Sequence, residues 1–408
     1  MRGEILAIAR GMWLLALSLP ALAAPGLQPL IDATPTGGTL RPPPGVYAGP
    51  ALINRPIVLD GGGKVTLDGG GKGTVLTLQT SGAVVRGMRI VGSGDSHDQI
   101  DAAILVQGDA NLIEHNTLED VLFGVFFKQS NDNRLSANRI RSRDAEVAGR
   151  GDAVRLWYSR WNVIEGNDIA HVRDLILANS PHNRIIANTI RDGRYAVQFI
   201  FSPRNLVQGN TISHTATGVV IINSEGVTVR RNSIMHVQDG GGAGVVFKES
   251  SSGLVDGNDI AHCSTAVMAD SPSDPINRIT LYGNHIAHNI IGINFYGEKG
   301  GHTIHRNRFE NNLIQAMLTP GGNPLANDWF GNYWDDYEGF DRDHDGVGDN
   351  PYELYVYADR LWLEFPMARF FLNSPALELL DFLERLAPFS LPELALRDPA
   401  PQAHGKVK

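Results

Sequence analysis

Along most of the chain, short runs of alternating apolar and polar residues are punctuated by an Asn with an aliphatic or aromatic residue two places later. The Asn stands at Asn116, Asn138, Asn167, Asn188, Asn210, Asn232, Asn258, Asn284, Asn307 and Asn332, at intervals of 22, 29, 21, 22, 22, 26, 26, 23 and 25 residues. Such a period is too short for paired-helix repeats and suits one coil of a β-solenoid. The longer intervals read as loop insertions, such as Asp144–Arg150 and Asp239–Gly242. Within a unit the period is two: Asn210-Thr211-Ile212, a few polar residues, then Gly218-Val219-Val220-Ile221-Ile222. A small residue recurs eight places after the Asn, at Gly124, Ala196, Gly218, Ala266 and Gly292, where the backbone must bend or approach a neighbour closely. The units lack the leucine frame of leucine-rich repeats. The pattern predicts an all-β right-handed parallel β-helix over residues 24–355.

In stacked coils each position of the unit becomes a column, with about 4.8 Å between neighbours. The second residue after the Asn is nearly always apolar, and the fifth is Val121, Val172, Thr215, Val237, Cys263, Asn289 or Asn312; both columns are expected to face inward. Cys263 then reads as a small core residue rather than a reactive thiol. The position between them points to solvent and holds His171, His214, His236, His262 and His288, the last four in consecutive coils. Stacked neutral imidazoles, with Met235 adjoining His236, suit copper or zinc; a solvated polar edge is the plainer alternative. A second outward set, Leu177, Gln198, Val220, Val246 and Met268 beside Trp157, Ile200, Ile222 and Tyr296, is expected to expose apolar side chains to a protein partner or a covering segment.

Composition narrows the setting. Arg2 and Arg10, the apolar run Gly11 to Pro20 and Ala21-Leu22-Ala23 read as a secretory signal over residues 1–23, with an uncleaved anchor as the alternative. One cysteine allows no intramolecular disulfide, so packing must stabilise the exported chain. A net charge of −9 argues against nucleic acid as a partner.

Asp341, Asp343, Asp345 and Asp349 alternate with other residues around Gly346, as in a calcium loop, although Tyr352 stands where a bidentate Glu would complete it. A simple acidic turn remains open. Asp95-Ser96-His97-Asp98 combines acid and base groups in a Gly-Ser-rich stretch that reads first as a turn, and loosely resembles the Asp-Pro-His-Asp sequence of mannuronan epimerases. After Pro351 the spacing becomes helical over 361–371 and 375–386. These helices either cap the last coil or dock on a partner, with Trp362, Phe365, Met367, Phe370, Phe371, Leu379 and Leu380 as contact residues. The solenoid is expected to stand without them, and the tail from Arg397 to Lys408 to be disordered.

The whole is similar to the NosD family. The resemblance runs from Asp60-Gly61-Gly62-Gly63 through Arg150-Gly151-Asp152 and is most specific at Gly331-Asn332-Tyr333-Trp334-Asp335-Asp336-Tyr337 and Leu372-Asn373-Ser374-Pro375-Ala376. It implies a periplasmic, non-catalytic accessory protein that works with an ABC transporter permease and a copper chaperone to supply the copper–sulfur centre of an apo-reductase client, nitrous-oxide reductase. Where the family carries Arg-Tyr-Gly-Val-His-Tyr-Met-Tyr-Ser, residues Arg194 to Ser202 here put Gln198 and Ile200 in place of the His and Met. A polysaccharide lyase or epimerase, or a carbohydrate-binding β-helix, is the alternative.

Overall fold

A computed structural model of the chain describes residues 24–270, 278–296, 300–318, 324–356 and 393–403. Their strands stack in parallel, coil on coil, into a solenoid with one sheet of 24 strands and a second of 12. Each repeat gives the first, broad sheet two short strands flanking its Asn, and the second, narrow sheet one. The alternation predicted from sequence is borne out. Ile212, Ile234, Ile260 and Ile286 lie in register on successive coils, and all are fully buried. Burying each such side chain stabilises the fold by roughly 1.5–3 kcal/mol, so the column is a large part of the core.

The repeated Asn solves a problem created by the turn between the two broad-sheet strands, where backbone groups would otherwise be buried unpaired. The Asn116 N–H donates to Asn138 Oδ1 at 2.9 Å, and Asn138 Nδ2 reaches back to the Ile113 carbonyl at 2.9 Å. The same exchange repeats down to Asn307 and Asn332. Two further ladders were not read from the sequence: Asn111, Asn133, Asn162, Asn183 and Asn205, and Ser130, Ser159, Ser180, Ser202, Ser224 and Ser250. The small residues sit where expected: a Cβ on Gly218 would lie 2.2 Å from the Gly244 carbonyl oxygen.

One predicted column is corrected. Leu177 pairs with Phe199 and is fully buried, while Ile176 takes the outward place beside Gln198, Val220, Val246 and Met268. The register shifts between Asp174 and Ile176 because this coil is one residue shorter than the next. Nor is that column an exposed stripe, since Ile176, Gln198 and Val220 are all buried.

Both ends are closed. At the first coil the helix Gln28–Ala33 buries Ile31, and Leu27 just before it is equally buried; Gln28 exchanges two hydrogen bonds with the backbone of Leu52. At the last coil Phe309, Trp334 and Tyr352 stack with ring centroids 4.3 and 4.4 Å apart. There Tyr352–Val356 pairs antiparallel with Glu393–Asp398. The expected disordered tail is therefore corrected for its first residues: Arg397 belongs to this strand, Asp398 is fully buried, and Gln402 bonds to Gly331 and Asn332. The expected signal segment 1–23, the stretches 361–371 and 375–386 expected to be helical, and all seven contact residues proposed on them lie outside the described residues.

Candidate functional site

The corner after each second broad-sheet strand must reverse the chain with one residue in the left-handed region, and the histidines occupy it. His214, His236, His262 and His288 have φ of 53°, 57°, 55° and 56°. The corner throws their side chains outward while the next residue, Thr215, Val237, Cys263 or Asn289, turns into the core. All four imidazoles are exposed. Their ring centroids are 5.0, 5.2 and 5.2 Å apart, and their planes are inclined by 27°, 10° and 7°. Met235 lies in the adjoining strand, half-buried, between Ser213 and Ala261. His171 belongs to an earlier coil and contacts Arg150 instead.

Imidazole lone pairs lie in the ring plane, so flat-stacked rings aim their nitrogens side by side. Convergence on one ion requires adjacent rings to turn about Cβ–Cγ, which their exposure permits. Cys263, directly behind the ladder, faces the core, and burial pushes its thiol up to about 11.

Asp341, Asp343 and Asp345 each bring a carboxylate oxygen within 4.8 Å of the others, the only such group of His, Cys, Asp or Glu among the described residues. Asp341 and Asp345 accept backbone hydrogen bonds from Gly346 and Val347, and Asp349 accepts one from Arg342. Asp95, His97 and Asp98 are exposed and do not assemble: Asp95 pairs with Arg143, and His97 leans edge-on against Phe123 at 5.7 Å. In the narrow sheet Gln198 is buried and Ile200 half-buried, so the segment Arg194 to Ser202 offers no His or Met to a metal.

A family model described as "Periplasmic copper-binding protein (NosD)" matches residues 137–339, a span that contains the whole ladder. A "Probable ABC transporter binding protein NosD" from Pseudomonas aeruginosa is 32% identical, covering 92% of this chain and 91% of that protein. The chain belongs to the NosD family. A NosD relative of the same description from Stutzerimonas stutzeri is 27% identical over 92% of this chain and 89% of its own length. Among solved structures, one titled "a new PL6 alginate lyase complex with trisaccharide" is 13% identical, covers 75% of this chain and 81% of that one, and has a TM-score of 0.50, a likeness of fold alone. NosD membership agrees with the sequence reading in family, and the family is described as periplasmic and copper-binding.

Proposed function

We propose that this NosD-family protein is a non-enzymatic periplasmic accessory for maturation of a copper enzyme, nitrous-oxide reductase or a related client, and that its histidine ladder is where copper is held in transit. The observation that carries this reading is four exposed imidazoles in consecutive coils at 5.0–5.2 Å, within the span matched by a copper-binding family model. Copper is cargo here. Imidazole is a good ligand for either oxidation state, and Met235 adds a thioether suited to the cuprous ion.

The partners in this reading are an ABC transporter permease, a copper chaperone and the apo-reductase. Transporter docking falls to the segment 361–389, with Trp362, Phe365, Met367, Phe370, Phe371, Leu379 and Leu380. Support comes from its anchorage: Val356 pairs with Glu393, so both ends of the segment are held together at the closed end of the solenoid. The acidic loop Asp341–Asp349 is proposed as a calcium site that steadies the same end. A host strain lacking the gene tests the proposal. Client purified from it is expected to lack its copper–sulfur centre, and complementation by a variant with all four ladder histidines changed to Ala is expected to fail; a fully metallated client from the deletion strain overturns the reading.

A further inference from the structure

The opposite edge of the narrow sheet carries a second surface, made by the corners that lead back into the broad sheet. In each corner a buried Ser anchors the turn and its neighbours face out. Three consecutive corners read Tyr158-Ser159-Arg160-Trp161, Asn179-Ser180-Pro181-His182 and Phe201-Ser202-Pro203-Arg204. Tyr158, Trp161 and Phe201 are 52%, 48% and 56% exposed. The corners on either side, Gln129-Ser130-Asn131-Asp132 and Asn223-Ser224-Glu225-Gly226, carry no aromatic residue. The aromatics are thus confined to a ridge about 10 Å long, two coil spacings.

Each of these large side chains leaves about half its surface in solvent. Tyr158, Trp161 and Phe201 occupy left-handed backbone at φ of 50°, 56° and 47°, a conformation better served by Asn or Gly. Around them stand three exposed guanidiniums, Arg160, Arg184 and Arg204, none paired with a carboxylate among the described residues. Arg160 lies over the Trp161 ring at 4.4 Å, and Trp161 stacks on His182 at 6.1 Å. The wider charge distribution agrees: from the flanking corner at Gln129 to Arg231 the chain holds fourteen arginines, no lysine and nine carboxylates, a net of +5 in a chain of net −9.

We infer that this ridge is a docking site for a folded protein whose matching face presents carboxylates around an apolar centre. Exposed Trp, Tyr and Phe with Arg, and without Lys, is the composition of protein–protein hot spots. Unpaired guanidiniums beside apolar rings call for acidic groups opposite them.

The experiment places a photo-crosslinking amino acid at Asn179, in the middle of the ridge, in the full-length protein in its native host, then purifies whatever protein is captured and titrates it against the wild type and ridge variants. The inference predicts saturable binding that weakens with salt. Arg160→Glu with Arg204→Glu should lower affinity at least roughly tenfold, mainly through slower association. Trp161→Ala with Phe201→Ala should lower it similarly through faster dissociation. Reversal of a facing carboxylate on the partner to Arg should restore binding to the Glu variant. Crosslinking only to the chain's own residues 357–392, to a glycan, or to a protein whose binding ignores all four substitutions overturns it.

Discussion

The Asp398 carboxylate accepts hydrogen bonds at 2.9 Å from both the backbone N–H and the side-chain Nδ2 of Asn332, 66 residues away in sequence. It also takes the Gly331 N–H and the Trp334 indole N–H. An ionised Asp is acceptor-only, which suits the last rung of the Asn ladder, where no further coil offers a carbonyl to receive an amide proton. A strand from the end of the described chain thus finishes the Asn ladder that begins at Asn116.

Replacing Asp398 by Ala leaves buried donors unpaired, so we expect a loss of about 2–4 kcal/mol, measured by urea unfolding. Asp398→Asn keeps one acceptor oxygen and should fall between the two. Truncation after Pro366 removes the strand entirely and should destabilise the solenoid, contrary to the expectation from sequence. Unchanged unfolding of Asp398→Ala would show that the strand is not a closing element.

The body of the solenoid was legible because its Asn period and two-residue alternation are written in every coil. The histidine column was legible for the same reason. Leu177 was misplaced because a coil of 21 residues was counted as if it had 22, and the ladder beginning at Asn111 was passed over although its residues stand five places before Asn116 and its successors. The strand Glu393–Asp398 carries no trace of the repeat. It pairs antiparallel and lies next to Pro399 and Pro401, so local composition pointed to a tail. The aromatic ridge was invisible because its residues fall between the Asn positions and acquire meaning only once the corners are stacked.

The acidic loop gives a second prediction. Three carboxylate oxygens within 4.8 Å repel one another unless a cation or solvent screens them. Calcium should raise the melting temperature of the wild type, and Asp343→Ala with Asp345→Ala should remove that rise. An equal calcium response in the double variant would place the effect elsewhere.

A third concerns acid stability. Arg308 holds the Glu310 carboxyl at about 2, below its ordinary 4.5, with His285 adding to the effect at 3.1 Å. A carboxyl whose pKa falls on folding stabilises the protein above its unfolded pKa, and that contribution is lost as pH falls toward the folded value. Glu310→Gln should therefore be less stable than wild type at neutral pH, with the gap closing between about pH 4.5 and 2. A gap independent of pH would mean that packing, not charge, is what the substitution removes.

The most direct test of the central claim is copper binding by purified protein. Wild type should take up copper, and more weakly in acid, because protons compete with the metal for the imidazole nitrogens. Changing His214, His236, His262 and His288 together to Ala should lower affinity at least roughly tenfold, and the same loss is expected with Asn, which suits the left-handed corners at φ of 53–57°. Unchanged copper stoichiometry and affinity in the fourfold variant would contradict the account.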